Sequence, residues 1–228
     1  MACHELTEDM QVLNSENKIL LMGAPNVGKS VFFSALTNIH VISSNYAGTT
    51  VSYMKGSFLL NGVNYNLIDV PGTYSLTATS EAEEVAVKFL TSNPRAILFV
   101  LNAADLEGSI KLALEVLEYR IPMVAALNLS DVAERQGKKI NVKLLEQQLG
   151  IPIVTTIAVK GKGLNELRKK LAEVLEQGNF QASYEAKCSN CPGCNACPRG
   201  NYYLSYWEKA QEIISICVKD TNAKPSTL

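Results

Sequence analysis

Beyond a polar leader, Met1–Asn17, the chain is a succession of short apolar blocks separated by amphipathic stretches. Lys18–Ala24 is apolar almost throughout, which predicts a buried strand, and Lys29–Asn38 reads as a helix. Tyr53–Leu60 and Val63–Val70 flank Asn61-Gly62, a dipeptide that favours the tight turn of a hairpin. Glu81–Thr91 predicts a helix, Ala96–Leu101 a buried strand, Leu106–Arg120 a helix and Pro122–Leu127 a strand. Asn141–Leu149 predicts a further helix and Pro152–Ile157 the last strand. Leu164, Leu167, Leu171 and Val174 then share one helical face.

This alternation predicts an α/β fold, a mostly parallel sheet with one antiparallel hairpin strand and helices on both faces. A break follows. Gln177–Lys187 is polar, Cys188–Gly200 is rich in Cys, Pro and Gly, and Tyr202–Lys219 reads as a closing helix. The expected organisation is a leader at 1–17, a main domain at 18–176, and a small Cys-rich and helical appendage at 177–228.

Composition narrows the function classes. A hydrophobic fraction of 47% with 19% charged residues suits a globular core. The net charge of −1, from 21 basic and 22 acidic residues, argues against a nucleic-acid partner, which needs a basic face. No apolar run approaches the roughly 18–20 residues of a membrane span, and the leader has no signal-peptide pattern. The expectation is a cytosolic chain whose six cysteines are reduced or metal-bound rather than paired.

Candidate chemistry begins at Gly23-Ala24-Pro25-Asn26-Val27-Gly28-Lys29-Ser30, which fits G-x-x-x-x-G-K-[ST] between a predicted strand and a predicted helix. The glycines let backbone N–H groups turn inward around phosphates, and the helix N-terminus adds positive potential. Lys29 is then placed to reach the β- and γ-phosphates, and the Ser30 hydroxyl to ligate Mg²⁺. Asp69-Val70-Pro71-Gly72 gives D-x-x-G at the end of the second hairpin strand, 40 residues after Lys29. There Asp69 holds Mg²⁺ through water and the Gly72 N–H senses the γ-phosphate.

The base is read by Asn128-Leu129-Ser130-Asp131. A carboxylate at Asp131 accepts two hydrogen bonds from guanine, a donor pair that adenine lacks. A rival N-x-x-D at Asn102-Ala103-Ala104-Asp105 comes one strand–helix unit too early, so Asn102 is expected to be a turn or helix-start residue. The third base contact is expected from Ala158-Val159-Lys160-Gly161, with the Lys160 stem along the purine. Ala158 lacks the hydroxyl that G domains usually carry there, which predicts fast nucleotide release. Thr73 stands where Ras-type GTPases have a water-positioning glutamine. His4 and His40 are the only histidines and suit solvated positions. Turnover is therefore expected to be slow and to use no side-chain general base.

With Phe33-Ser34-Ala35-Leu36-Thr37, Asn45-Tyr46-Ala47-Gly48-Thr49-Thr50-Val51 and Asp69-Val70-Pro71-Gly72-Thr73-Tyr74-Ser75-Leu76, these motifs resemble the N-terminal cytoplasmic G domain of the ferrous iron transporter B family. The resemblance spans roughly Lys18–Val174, with a looser echo in Tyr202–Leu228. It implies a P-loop NTPase G domain that converts GTP to GDP and phosphate, with Lys29, Thr50 and Gly72 as the catalytic set. The residues alone do not choose between Thr49 and Thr50; the resemblance implies that Thr50 completes Mg²⁺ coordination in switch I, and that Asn26 helps bind K⁺. It further implies GTP and GDP as ligands, and the membrane region of the same full-length polypeptide in a bacterial inner membrane as partner. Small accessory Feo proteins and a homo-oligomer belong to the same implication. Ala47 and Ser52 stand where the family often has Pro and Glu, which loosens any inference about switch I. The end of the chain at Lys224–Leu228 falls about where that membrane region would be approaching, which suggests a fragment.

Cys188, Cys191, Cys194 and Cys197 recur every third residue. The first three match a [4Fe–4S] run and the fourth comes one residue early, although Pro198 follows it. Zinc sites more often use two knuckles set well apart. The expected occupant is an Fe–S cluster or Zn²⁺, against the alternative of a flexible thiol-rich loop. Cys217 falls with Trp207, Ala210, Ile213 and Ile214 on the apolar side of the last helix, which predicts core packing, and Cys3 has no assigned role. The rival function is a free-standing soluble Era-like GTPase with a zinc knuckle that binds RNA or ribosomes, against which the neutral charge argues. A P-loop ATPase or kinase fails unless Asp131 is not the base reader.

Overall fold

The computed structural model describes residues 15–37, 41–46, 48–177 and 200–220. Cys3, His4, His40, Ala47 and the four cysteines Cys188, Cys191, Cys194 and Cys197 lie outside the described residues. The elements are β1 (Lys18–Gly23), α1 (Lys29–Leu36), β2 (Val41–Asn45), β3 (Ser52–Leu60), β4 (Val63–Asp69), α2 (Glu81–Thr91), β5 (Ala96–Asn102), α3 (Leu106–Leu117) and β6 (Met123–Asn128). There follow α4 (Ser130–Arg135), β7 (Lys138–Ile140), α5 (Val142–Leu149), β8 (Ile153–Thr155), a 3₁₀ turn at Ala158–Lys160, α6 (Leu164–Gln177), α7 (Gly200–Cys217) and β9 (Val218–Asp220).

The main sheet has seven strands in the order β2-β3-β4-β1-β5-β6-β8. β1 pairs in parallel with β4 and β5, β5 with β6, and β6 with β8. β3 alone runs against its neighbours β2 and β4, as the single hairpin strand expected. Its turn closes with Leu60 opposite Val63, and Asn61 and Gly62 take φ of 48° and 79°, left-handed values that match the strand twist.

β1, β5 and β6 are buried along most of their length because helices cover both faces of the sheet. On one face Phe32, Phe33 and Leu36 of α1 pack with Leu167 and Leu171 of α6. On the other, Phe89, Ile110, Leu114 and Leu145 pack with Ala210, Ile213 and Cys217 of α7. Cys217 is thus a core residue, as expected, whereas Trp207 is 41% exposed and lies off the stripe.

Several details differ from the sequence expectation. β2, β7 and the short α4 were not anticipated. α3 stops at Leu117, and Arg120 turns the chain with φ of 54°. The last helix ends at Cys217, where β9 leaves it and pairs antiparallel with β7, so the C-terminal segment is stitched to the main domain by a second, two-stranded sheet. What matters for function is that β1, β4, β5, β6 and β8 run parallel, and their carboxyl ends collect the loops that carry the motifs.

Candidate functional site

β1 ends at Gly23 and α1 begins at Lys29, with Gly28 at its N-cap in the left-handed region, φ 92°. A β-carbon on Gly28 would lie 2.8 Å from Asn128 Nδ2, so both the backbone angle and the space require glycine. No side chain caps α1. Its first N–H groups are left to whatever anion the loop receives. Asn26, with φ 62°, is exposed at the rim of the loop.

β4 delivers Asp69 beside Leu21 of β1. Gly72 follows, and a β-carbon there would stand 2.9 Å from Lys29 Nζ and 3.0 Å from the Pro25 backbone. The D-x-x-G turn therefore lies directly against the G-x-x-x-x-G-K-S loop. Burial lowers the Lys29 ammonium pKa, with Asp69 opposing the shift. Burial pushes the Asp69 carboxyl up to about 6, with Lys29 opposing. Asp69 Oδ1 is buried with no hydrogen-bond partner. Orphaned buried oxygens of this kind call for a ligand. Together with the Ser30 hydroxyl it forms an all-oxygen donor set that fits Mg²⁺.

The two adjacent threonines separate clearly. Thr49 Oγ1 donates to Tyr46 O at 3.0 Å and closes its own turn. Thr50 is exposed and donates twice to one atom, Glu81 Oε2, from its N–H at 3.1 Å and its hydroxyl at 3.0 Å. Glu81 is the first residue of α2, whose start is held by a capping box between Ser80 and Glu83. Glu83 Oε2 also accepts from Thr79 N and Oγ1.

After Gly72, Thr73 and Ser75 are buried while Tyr74 is exposed. α3 grips this stretch with two charges that are 3% and 8% exposed, Lys111 and Glu115, paired at 2.9 Å. The Leu76 N–H donates to Glu115 Oε2 at 2.6 Å, and Lys111 Nζ donates to Tyr74 O at 3.3 Å.

At the base end, Asn128 is buried and joins two loops. Its Nδ2 donates to Val27 O at 3.0 Å, and its Oδ1 accepts from Ala158 N at 3.1 Å and Thr156 Oγ1 at 3.4 Å. Ser130 Oγ donates to Thr156 O at 3.3 Å. Asp131 Oδ2 has Lys160 Nζ at 3.6 Å and Arg135 Nη2 at 3.8 Å. Val159 is exposed. Asn102 stands beside Asn128 in register but is spent on a turn, its Oδ1 accepting from Ala104 N and Asp105 N at 3.0 and 3.3 Å. The amide oxygen of the decoy motif is thus taken up by its own turn.

The structure brings the residues of the G-x-x-x-x-G-K-S loop, the D-x-x-G turn and the expected base set to one edge of the sheet. Sequence reasoning missed Glu81, Lys111, Glu115 and Arg135. Arg135, one helical turn from Asp131, was readable from spacing. Glu81 meets Thr50 across 31 residues and Glu115 meets Leu76 across 39, and no local pattern announces either.

Comparison with known proteins agrees with this geometry. The family model for ferrous iron transport protein B matches residues 17–171. The Fe(2+) transporter FeoB of Salmonella typhimurium is 38% identical over 153 residues, which is 65% of this chain and 20% of that protein. Its counterpart in Escherichia coli strain K12 is 37% identical over 172 residues, 73% of this chain and 22% of that protein. The chain thus spans about a fifth of the length of the curated relatives it matches. Among solved structures, the cytosolic domain of the T. maritima FeoB iron transporter in its GMPPNP form has a TM-score of 0.78 at 25% identity, covering 90% of this chain and 100% of that one. The same domain in GDP form II gives 0.76 at 27%, covering 89% and 99%. Among the described residues, no helix is long and apolar enough to cross a membrane. By fold, by site and by the extent of the match, the chain belongs to the ferrous iron transport protein B family.

Proposed function

We propose that this chain binds GTP and GDP and slowly hydrolyses GTP, as the cytoplasmic regulatory domain of a bacterial ferrous iron membrane transporter. The observation that carries the reading is the double tie of Asn128, which fixes the loop before Lys29 and the loop before Lys160 around Asp131. That tie sets the distance between a phosphate end and a base end.

Backbone N–H groups of Gly23–Ser30 and the α1 N-terminus receive the phosphates, with Lys29 across the β- and γ-groups. Ser30, Asp69 and Thr50 would hold Mg²⁺, which offsets the charge on the phosphate oxygens when bound. Gly72 presents its N–H to the γ-phosphate. Asp131 accepts from guanine, Lys160 covers the ring with its stem, and Ala158 and Val159 line the loop. Asn26, exposed and without a hydrogen bond among the described residues, is the candidate side chain for K⁺. Thr73 is buried and has no basic nitrogen, so it supplies no general base, and backbone groups of this chain would orient the water, with Mg²⁺ and K⁺ supplying positive charge when bound. The four-thiol set Cys188, Cys191, Cys194 and Cys197 suits an Fe–S cluster or Zn²⁺. The membrane region of the same polypeptide is the proposed partner, with accessory Feo proteins and self-association as further ones.

That the T. maritima domain is solved in GDP and GMPPNP forms supports both nucleotide states. The test is calorimetric titration with GTP, GDP and ATP, followed by phosphate release in K⁺ and in Na⁺. Tight binding of the guanine nucleotides alone, with slow release that quickens in K⁺, is the expected result. Equal affinity for ATP would overturn the reading. Anaerobic metal, sulfide and thiol analysis tests the cysteines, with metal-free protein and four titratable thiols as the contrary result.

A further inference from the structure

We infer that Glu81 is a positioning residue that clasps Thr50 outside the metal site and so sets the balance between the triphosphate and diphosphate states. The inference rests on the reading of Thr50 given under Proposed function.

Both donors of Thr50 converge on Glu81 Oε2, at 3.1 and 3.0 Å, which fixes its backbone and its χ1 together. In the same structure Asp69 Oδ1 is buried and lacks any partner. The threonine proposed to complete the metal site is therefore engaged elsewhere in this structure. The clasp is built on a firm base. Glu83 and Ser80 lock the first turn of α2, and Glu83 is consumed by Thr79 and Ser80. Glu81 is left as the acidic arm of that turn that reaches switch I, its charge favoured by the helix N-terminus behind it.

The clasp also opposes the closed state by charge. Thr50 cannot approach a γ-phosphate with Glu81 still attached without bringing a carboxylate towards a phosphate. Like charges at that range repel. A triphosphate must therefore break the clasp before Thr50 can close, whereas a diphosphate leaves it intact. A ligand shifts such an equilibrium only by its differential affinity for the two states. Removing Glu81 should then favour the triphosphate selectively.

The experiment is titration of the whole chain with Mg²⁺–GMPPNP and Mg²⁺–GDP, for the parent, Glu81→Ala, Glu81→Gln, Thr50→Ala and the double variant Thr50→Ala/Glu81→Ala. Glu81 is on the surface, and equal melting temperatures will show that its variants fold. Glu81→Ala is expected to raise the ratio of GMPPNP to GDP affinity roughly three- to tenfold. Glu81→Gln, which keeps an acceptor but no charge, should fall between. In the Thr50→Ala background, where only the backbone donor of the clasp remains, Glu81→Ala should raise the ratio less than it does in the parent. A ratio unmoved by Glu81→Ala while Thr50→Ala lowers it would overturn the clasp and spare the site. A ratio unmoved by Thr50→Ala would overturn the role of Thr50 itself, and the clasp with it.

Discussion

The two ends of the candidate site are built on opposite principles. At the base end the side chains are tied to the scaffold and to one another. Asn128 is tied on both sides, Ser130 is bonded to Thr156, and Asp131 has Lys160 and Arg135 beside it. At the phosphate end the protein's own contacts leave donors and acceptors for a ligand. Asp69 Oδ1 has no partner, α1 has no cap, and Thr50 is bonded to Glu81. A rigid, satisfied reader selects by leaving its own groups unpaired when the wrong base enters. An unsatisfied phosphate site, by contrast, is completed by the ligand, and its conformation can depend on which ligand is there. On the proposed function, selectivity would belong to the first end and switching to the second.

The sharpest way to break this division is at Asp131. Asp131→Asn should lower GTP affinity on the order of a thousandfold and favour xanthosine nucleotides, because guanine's donors lose their carboxylate. The melting temperature should barely move, since Arg135 and Lys160 are surface partners. Calorimetry with both nucleotides checks it, and unchanged GTP affinity would remove the base from this end of the sheet.

Asn128 probes the other half of the claim, that selection is built into the fold. Asn128→Ala strands Val27 O and Ala158 N inside the protein. It should destabilise the chain by about 2–4 kcal/mol in denaturant melts, together with a loss of affinity for GDP as well as GTP. A loss of affinity with an unaltered melt would mean that Asn128 serves the nucleotide rather than the scaffold.

The same contrast governs what the sequence reveals. The base reader and the phosphate loop are local motifs at the ends of buried strands. β5 and β6 announce themselves by continuous apolar runs, and strand order alone separated Asn128 from Asn102. The hairpin was readable from Asn61-Gly62. Where the chain depends on distant pairing, the signal fades. β2 is Val-Ile-Ser-Ser-Asn, a short edge strand with a polar end, and β7 and β9 are three residues each, recognisable only by their pairing with one another. Lys111 and Glu115 sit at ordinary i, i+4 spacing on α3 and look like a solvated pair. Their burial depends on the Tyr74–Leu76 loop that covers them. The phosphate end is less legible for the same reason that it can switch: its contacts join segments far apart in sequence.

Asp69 provides a test in which stability and binding should move in opposite directions. Oδ1 of its carboxylate is buried without a donor, and burial lifts its pKa to about 6. Asp69→Asn removes that charge from the ligand-free protein, and should raise its stability by about 1–3 kcal/mol. The same change removes the oxygen donor proposed for Mg²⁺ and should weaken Mg²⁺-dependent nucleotide binding. Thermal melts without ligand, set against titrations with and without Mg²⁺, read both signs. A destabilised Asp69→Asn protein would mean that the carboxylate is satisfied in solution, and the contrast between the two ends would narrow.

The smallest effect is also the most specific to this carboxyl. Because the folded-state pKa of Asp69 is raised above its ordinary value, protonation favours the ligand-free fold. That contribution is fully present below the ordinary carboxylate pKa and is lost as pH rises through about 6. Metal binding has the opposite dependence, since it needs the ionised form. Between pH 7.5 and 5.5 the ionised fraction of a group titrating at about 6 falls about fourfold, and Mg²⁺-dependent affinity should fall with it. Nucleotide phosphates titrate in the same range, so the measured quantity is the difference between the parent and Asp69→Asn over that interval. The parent should lose about fourfold more than the variant. Parallel pH profiles would show that Asp69 is already ionised at pH 5.5, held so by Lys29, and would make the phosphate end as settled before ligand binding as the base end.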